Sequence, residues 1–346
     1  MKRSQKMALG FGLGASLLGL SVAELAIRGQ EGLVLRLGPW SLELDQGPET
    51  SARSEPVFEP PGMKYALRVR APEDLERGWH ENQPVPEKKP GERVILCVGD
   101  SLTYGVGVGP SQSWPARLAT TLPANVKVYN FGVPGYDAEQ VASLVTSRLA
   151  PYQPDLLIWG TYTNDNMPTY VHATINTHLP IFVGSSVPPS VQILPDPIAL
   201  PLLHHFALFR LLQGSYFSRH VDSREAAEPY AGWYERYMDQ ILLWGQTHNV
   251  PIAVLAIAPH ILADPAHCGQ VERTPGFCRS NTEFYHRVQK DLEERGIPWA
   301  DGLAAYQHSG KQSFYPNGPQ DQDHPNAEGQ QLLTDAVVPV VQKLMP

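Results

Sequence analysis

Short apolar runs alternate with amphipathic stretches along the chain from residue 93 onward. Each run is bounded by turn residues, as expected for strands that are buried on both faces of a parallel sheet. The runs are 94–98, 126–130, 156–159, 252–257 and 297–300. Stretches with helical periodicity separate or follow them, at 114–121, 138–149, 230–247, 282–295 and 327–344. The pattern predicts an α/β fold of three layers, α/β/α, with right-handed crossovers.

Residues 166–229 interrupt this alternation with many prolines and an apolar stretch at 202–212. About 60 residues without a strand–helix pattern are too many for an ordinary connection. We therefore expect a cap-like insertion over the site, or an interaction surface. The side chains that could line an acyl or sugar pocket there, or else pack within the cap, are His204, His205, Phe206, Phe209 and Tyr216.

An apolar run begins at Met7 and continues past Glu24 to Ile27. Its length is close to the roughly 20 residues that cross a bilayer as a helix. The three basic residues before it predict a cytoplasmic N-terminus and an exported remainder; they are Lys2, Arg3 and Lys6. Residues 7–28 then form either a transmembrane anchor or a signal peptide that is cleaved near Ala23.

These features divide the chain into four parts. Residues 1–6 form a cytoplasmic tail, 7–28 the anchor or signal peptide, 29–92 a Pro-rich membrane-proximal segment, and 93–345 the main domain. Short alternating pieces at 33–37 and 65–69 are interpreted as edge strands. The main domain is expected in the periplasm or outside the cell.

Composition excludes several classes of protein. The 33 prolines among 346 residues disfavour an all-helical bundle and favour long ordered loops. The formal net charge is −8, and no basic run follows residue 6, so nucleic acid is not an expected partner.

The three cysteines agree with export. Cys97 lies in an apolar run and is expected in the core. Cys268 and Cys278 flank a polar loop, so they form a disulfide in an oxidising compartment or remain two unpaired thiols. Two cysteines are too few for a zinc site, and we expect no metal.

The first candidate for chemistry is Ser101, in the motif Gly99-Asp100-Ser101-Leu102. It follows a predicted strand, and parallel sheets bind ligands beyond the carboxyl ends of their strands. The hydroxyl would face that crevice, where it could act as a nucleophile, or it could simply cap the next helix.

A base for such a nucleophile could come from Asp321-Gln322-Asp323-His324. The Asp321 carboxylate could orient the His324 ring, whose other nitrogen would accept the serine proton. The spacing alone is weak evidence, and Asp323 competes with Asp321 for the role of the acid.

Two further turns follow predicted strands. The first contains Asn130-Phe131-Gly132, in which glycine permits a close approach of the Gly132 N–H to a ligand. The second contains Asn164-Asp165, in which the Asn164 side chain offers an amide donor. Each is ordinary alone, but all four turns are expected at one edge of the sheet.

Together these four blocks resemble the SGNH hydrolases, also called GDSL esterases and lipases, over about residues 93–345. The resemblance implies a flavodoxin-like fold, with Ser101 as nucleophile, His324 as base and Asp321 as its orienting acid. It also implies an oxyanion hole formed by the N–H groups of Ser101 and Gly132 and the Asn164 side chain. The third block departs from the usual Gly-x-Asn-Asp, which leaves Gly160 without a clear role.

The resemblance implies a serine esterase that needs no cofactor and acts on O-acyl or O-acetyl esters of carbohydrate or lipid. One alternative is an envelope O-acetyltransferase with the same triad. Another is a catalytically silent, membrane-tethered carbohydrate-binding or scaffold protein.

Overall fold

A computed structural model describes most of the main domain and several shorter segments. The described residues are 16–27, 35–37, 40–42, 52–55, 66–69, 85–166, 171–173, 180–182, 192–220, 232–259, 262, 277–308 and 324–346.

The N-terminal part contributes one helix and two strand pairs. Helix α1 spans residues 16–27. Strands β1 (Leu35–Leu37) and β2 (Trp40–Leu42) form one antiparallel pair, and β3 (Ala52–Glu55) and β4 (Ala66–Val69) form another. The pieces interpreted as edge strands, 33–37 and 65–69, contain β1 and β4, and each belongs to a two-stranded sheet that is separate from the main sheet.

The main sheet consists of five parallel strands: β5 (Arg93–Gly99), β6 (Val126–Gly132), β7 (Leu156–Thr161), β10 (Ile252–Ala256) and β11 (Trp299–Asp301). Their order across the sheet is β11-β10-β7-β5-β6. The first strand, β5, therefore lies between the second and the third, which is the flavodoxin-like order. The expected five strands are confirmed. The crevice at the switch point opens beyond the carboxyl end of β5.

Helices cover both faces of the sheet and produce two cores. The helices are α2 (Ser101–Tyr104), α3 (Trp114–Thr121), α4 (Ala138–Arg148), α7 (Trp233–His248), α8 (Phe277–Glu294), α9 (Gly302–His308) and α10 (Ala327–Leu344). On β5, Val94, Leu96 and Val98 point into one core with α4 and α7. Ile95 and Cys97 point into the other with α3 and α10. This alternation establishes the three layers, and Cys97 is fully buried as expected.

The insertion contains a strand pair and two helices. Strands β8 (Val171–Ala173) and β9 (Pro180–Phe182) are antiparallel, and helices α5 (Asp196–His205) and α6 (Ala207–His220) follow them. Within the described ranges, no helix has both the length and the apolar character needed to cross a membrane. Residues 7–15 and 28 of the predicted span lie outside those ranges.

Candidate active site

The turn after β5 presents Ser101 at the switch point of the sheet. Ser101 begins α2 and is partly exposed, whereas the residues that follow it in α2 are buried. The Asp100 side chain caps the helix by accepting a hydrogen bond from the Leu102 N–H at 2.9 Å. Asp100, rather than Ser101, is thus the helix cap, which leaves the Ser101 hydroxyl for other contacts.

His324 contacts that hydroxyl from the far end of the chain. Its Nε2 lies 2.9 Å from Ser101 Oγ, across a sequence separation of 223 residues. The ring is half-buried just before α10, whose cap Asn326 accepts from the N–H groups of Glu328 and Gly329. Asp321, its competitor Asp323 and the loop that carries them lie outside the described residues.

Gln330, which sequence reasoning missed, joins α2, which begins at Ser101, to α10, which follows His324. It is fully buried in α10; its Oε1 accepts from the Trp114 N–H at 2.8 Å and its Nε2 donates to the Leu102 carbonyl at 3.2 Å. One side chain thus connects α2, α3 and α10. No sequence signal marks it, because its partners lie more than 200 residues away.

The end of β6 places Asn130 and Gly132 against α2. The buried Asn130 amide donates to the Thr103 carbonyl at 3.0 Å, and its Oδ1 accepts from the Gly132 N–H at 2.9 Å. A Cβ on Gly132 would lie 2.2 Å from the Tyr104 nitrogen and 2.7 Å from the Thr103 carbonyl carbon. Glycine is therefore required at 132 by close packing of two backbones.

We expect Gly132→Ala to destabilise the protein by about 3 kcal/mol, at the upper end of the overpacking range, because the obstructing atoms are backbone. Urea unfolding measures this. The matched control is Gly109→Ala, where a Cβ would meet only the flexible end of Gln112 at 3.3 Å. Equal stability of the two variants would contradict the packing role of Gly132.

The hydrogen bond from the Gly132 N–H to Asn130 Oδ1 bears on the expected oxyanion hole. The Gly132 N–H is already bonded to Asn130, whereas among the described residues the N–H groups of Ser101 and Gly135 have no partner. Gly135 lies three residues further along the chain with φ +80°. Gly135 is therefore a second candidate for the backbone donor beside Gly132, because its N–H is not taken up by Asn130.

Gly160 gains a role in packing. A Cβ there would lie 2.4 Å from the Oγ1 of Thr103, a buried side chain in the nucleophile helix. Gly160 thus lets β7 pack directly beneath α2. That role does not depend on the spacing between Gly160 and Asn164.

Asn164 follows β7 and lies beside the nucleophile turn. Its Nδ2 donates to the Tyr136 carbonyl at 2.6 Å, and its side chain also hydrogen-bonds the Asp100 carboxyl group. Its buried Oδ1 has no partner. The amide is therefore held next to the residue that precedes Ser101, as an oxyanion donor requires, although one N–H must turn from Asp100 to reach a substrate.

Two buried carboxyl groups lie behind this donor. Burial raises the pKa of Asp100 from 3.8 to about 6, opposed by the Leu102 N–H and by the nearby His324. Burial also raises the pKa of Asp165 well above its usual value, and the charge of Asp100 raises it further. The Tyr162 N–H, 3.0 Å from Asp165 Oδ2, partly opposes that rise.

Because the pKa of Asp100 is higher in the folded protein, folding favours its protonated form, and ionisation destabilises the protein as pH rises from about 4 to about 6. Asp100→Asn keeps an acceptor for the Leu102 N–H but has no charge. We expect the free energy of unfolding of this variant to exceed that of the unsubstituted protein by an amount that grows from pH 4 to pH 6, reaches about 3 kcal/mol and then remains constant. Urea unfolding at several pH values measures it, and an advantage that is the same at pH 4 and pH 7.5 would contradict the account.

A family model for the GDSL-like lipase/acylhydrolase family matches residues 97–332. The chain belongs to this family. The matched region begins in β5 and ends in α10, so it includes both Ser101 and His324. The resemblance inferred from the sequence is confirmed, and the protein is a serine ester hydrolase.

Three of the solved structures that match this chain are described as lipolytic proteins or acetyl esterases. A lipolytic G-D-S-L family protein from Veillonella parvula is 15% identical, with a TM-score of 0.44, covering 72% of this chain and 99% of that one. A carbohydrate acetylesterase family member from Sinorhizobium meliloti is 15% identical, with a TM-score of 0.40 and coverages of 73% and 99%. A catalytic mutant of an acetylxylan esterase from Geobacillus stearothermophilus is 16% identical, with a TM-score of 0.44 and coverages of 75% and 97%. No match was found among curated proteins.

The other predicted residues fall outside this site or outside the described part. Cys268 and the Cys278 side chain are not among the described groups, so their disulfide stays a prediction, as does any role of the His204 side chain. In the insertion, Phe206 and Tyr216 are exposed. Tyr216 stacks on His220 with ring centroids 4.1 Å apart.

Proposed function

We propose that this esterase uses Ser101 as nucleophile, His324 as general base and Asp321 as the acid that orients the imidazole. The observation that carries the proposal is the 2.9 Å separation of His324 Nε2 and Ser101 Oγ. That distance lies within the range for direct proton transfer between a base and a nucleophile.

In the proposed reaction, Ser101 Oγ attacks the ester carbonyl carbon while its proton passes to His324 Nε2. The carbonyl oxygen becomes an oxyanion, held by the N–H groups of Ser101 and Gly135 and by the Asn164 amide. The tetrahedral intermediate collapses as His324 returns the proton to the leaving alcohol. Water then attacks the carbonyl carbon of the acyl-enzyme while its proton passes to His324 Nε2. The second tetrahedral intermediate collapses as His324 returns the proton to Ser101 Oγ, which releases the carboxylic acid and regenerates Ser101.

The surroundings of the nucleophile favour an uncharged ester. Asp100 precedes it in the chain and is buried, and the chain carries a net charge of −8, so an anionic acyl group would meet repulsion. Ser101 and His324 are both partly exposed at the rim, which leaves space for a bulky alcohol above them. Neutral O-acyl or O-acetyl esters of carbohydrate or lipid fit both conditions.

The location we propose is the cell envelope. The apolar run from Met7, with basic residues only before it, supports an anchor that holds the hydrolase domain outside the cytoplasmic membrane. Membrane lipids and envelope glycans would then be the nearest ester substrates.

The test is an activity screen of purified full-length protein against p-nitrophenyl acetate, long-chain p-nitrophenyl esters and O-acetylated oligosaccharides. We expect hydrolysis of the neutral short-chain and O-acetyl esters, with free acetate as the product. Transfer of acetate to an added glycan, without a matching release of acid, would contradict the hydrolase assignment and identify a transferase.

A further inference from the structure

The exposed apolar side chains of the protein are concentrated in two segments. Among the described residues, the large apolar side chains with high exposure lie on α1 or in residues 193–216, with two exceptions, Val85 and Leu243. Exposed apolar side chains that cluster in this way normally mark a surface that binds an apolar partner.

Helix α1 is exposed on nearly all sides. Leu17, Leu18, Leu20 and Val22 are each more than half exposed, whereas the half-buried positions Ala23, Glu24 and Ile27 lie in the last turns. The helix therefore touches the rest of the protein near its C-terminal end. A helix seated in a protein groove would bury one face along its length, so all-round apolar exposure favours lipid as the surrounding medium.

Glu24 connects this helix to the insertion. Its Oε1 accepts from the Ala207 N–H and its Oε2 from the Leu208 N–H, both at 2.8 Å. These are first-turn amides of α6, which have no partner within their own helix, and a carboxylate also complements the positive end of the helix dipole. Glu24 is the one charged residue between Met7 and Ile27, and two backbone donors stabilise it there.

We define residues 196–220, which comprise α5, α6 and Phe206 between them, as the elbow. Arg210 is 1% exposed, and its Nη1 donates to the Leu203 carbonyl at 2.6 Å, which fixes one helix against the other. The outer side carries Ile198, Phe206 and Leu212, each about half exposed. Phe206 directly precedes Ala207, so one of the exposed side chains of the elbow lies next in sequence to the Glu24 contact with α1.

We propose that the elbow lies in the membrane interface together with α1, and that the bilayer covers its exposed apolar side chains. The elbow would then be a second membrane contact, which fixes the orientation of the hydrolase domain over the lipid surface. Tyr216, Arg219 and His220, all exposed at the end of α6, suit the boundary between acyl chains and headgroups. This inference rests on the proposed membrane anchor but not on the chemistry at Ser101.

The experiment places spin labels on full-length protein in phosphatidylcholine–phosphatidylglycerol vesicles. Phe206→Cys and Leu212→Cys report on the elbow, and Leu243→Cys, 63% exposed on α7, is the matched control. Unsubstituted protein treated with the label gives the background from native cysteines. Power saturation measures the accessibility of each label to oxygen, which partitions into lipid, and to a nickel chelate, which stays in water.

We expect the oxygen-to-nickel accessibility ratio at 206 and 212 to exceed that at 243 by about threefold or more, as for side chains several ångströms below the headgroups. Ratios equal to that at 243 would place the elbow in water and overturn the proposal. Low accessibility to both reagents would also overturn it, because a second copy of the chain would then cover the surface. Protein that fails to float with the vesicles would overturn both anchor and elbow, while ester hydrolysis by the same sample tests the chemistry separately.

Glu24 is tested in the same assay. Glu24→Ala removes both acceptors, so we expect the ratio at position 206 to fall towards the value at 243. Glu24→Gln keeps one oxygen acceptor, and we expect a smaller decrease. An unchanged ratio in Glu24→Ala would show that Glu24 does not hold the elbow at the membrane.

Discussion

Ser101→Ala is expected to lower kcat/KM for p-nitrophenyl acetate by about 10⁴-fold or more. The variant removes the atom that forms the acyl-enzyme. The side chain is partly exposed, so the fold should be retained. Steady-state kinetics with matched circular dichroism spectra measure both expectations.

The matched control for this variant is Ser113→Ala. Ser113 is fully buried beside α3, and its hydroxyl lies 3.4 Å from the Pro110 carbonyl. We expect this variant to keep nearly all of its activity, because Ser113 has no contact with the reacting groups. A Ser101→Ala enzyme that is as active as Ser113→Ala would remove Ser101 from the mechanism.

Asn164→Ala is expected to lower kcat by about 10²- to 10³-fold with little change in KM, the usual effect of losing one oxyanion donor. The donor acts on charge that develops in the transition state, so ground-state binding should change little. The variant also removes one hydrogen bond to the Tyr136 carbonyl and one to the Asp100 carboxyl group. Steady-state kinetics with a short-chain ester separate the two parameters.

Asn166→Ala is the control for disturbance of the loop. Asn166 lies two residues further on, and its Oδ1 accepts from Arg287 Nη2 at 2.6 Å. This contact helps to hold the loop but is directed away from Ser101. If Asn166→Ala lost as much kcat as Asn164→Ala, the effect at 164 would come from loop position rather than from oxyanion stabilisation.

The sheet could be predicted from the sequence because its strands are buried on both faces. Such strands are apolar along most of their length, as in Val94 to Val98, and the turns that follow them are polar. Helices α3 and α10 have the predicted bounds, Trp114–Thr121 and Ala327–Leu344, and the other predicted helices, α4, α7 and α8, differ by one to five residues at their ends. The partners of the small antiparallel strands could not be predicted, because short alternating pieces carry no information about which strand lies beside them.

The site was predictable in its residue types but not in all of its contacts. Turns at the ends of neighbouring parallel strands must meet at one edge, so Ser101 and Asn164 could be expected close together. The Gly132 N–H could not be known to be engaged, since that depends on the rotamer of Asn130. Gln330 and Glu24 bond to backbone groups far along the chain, and backbone groups leave no mark in a sequence.

The most direct test of the central claim is covalent labelling of full-length protein with a fluorophosphonate probe, followed by peptide mass spectrometry. The account predicts one adduct, on the peptide that contains Ser101, absent in Ser101→Ala and formed far more slowly in His324→Ala. An adduct on another residue, or labelling of Ser101 at the same rate without the imidazole, would contradict it.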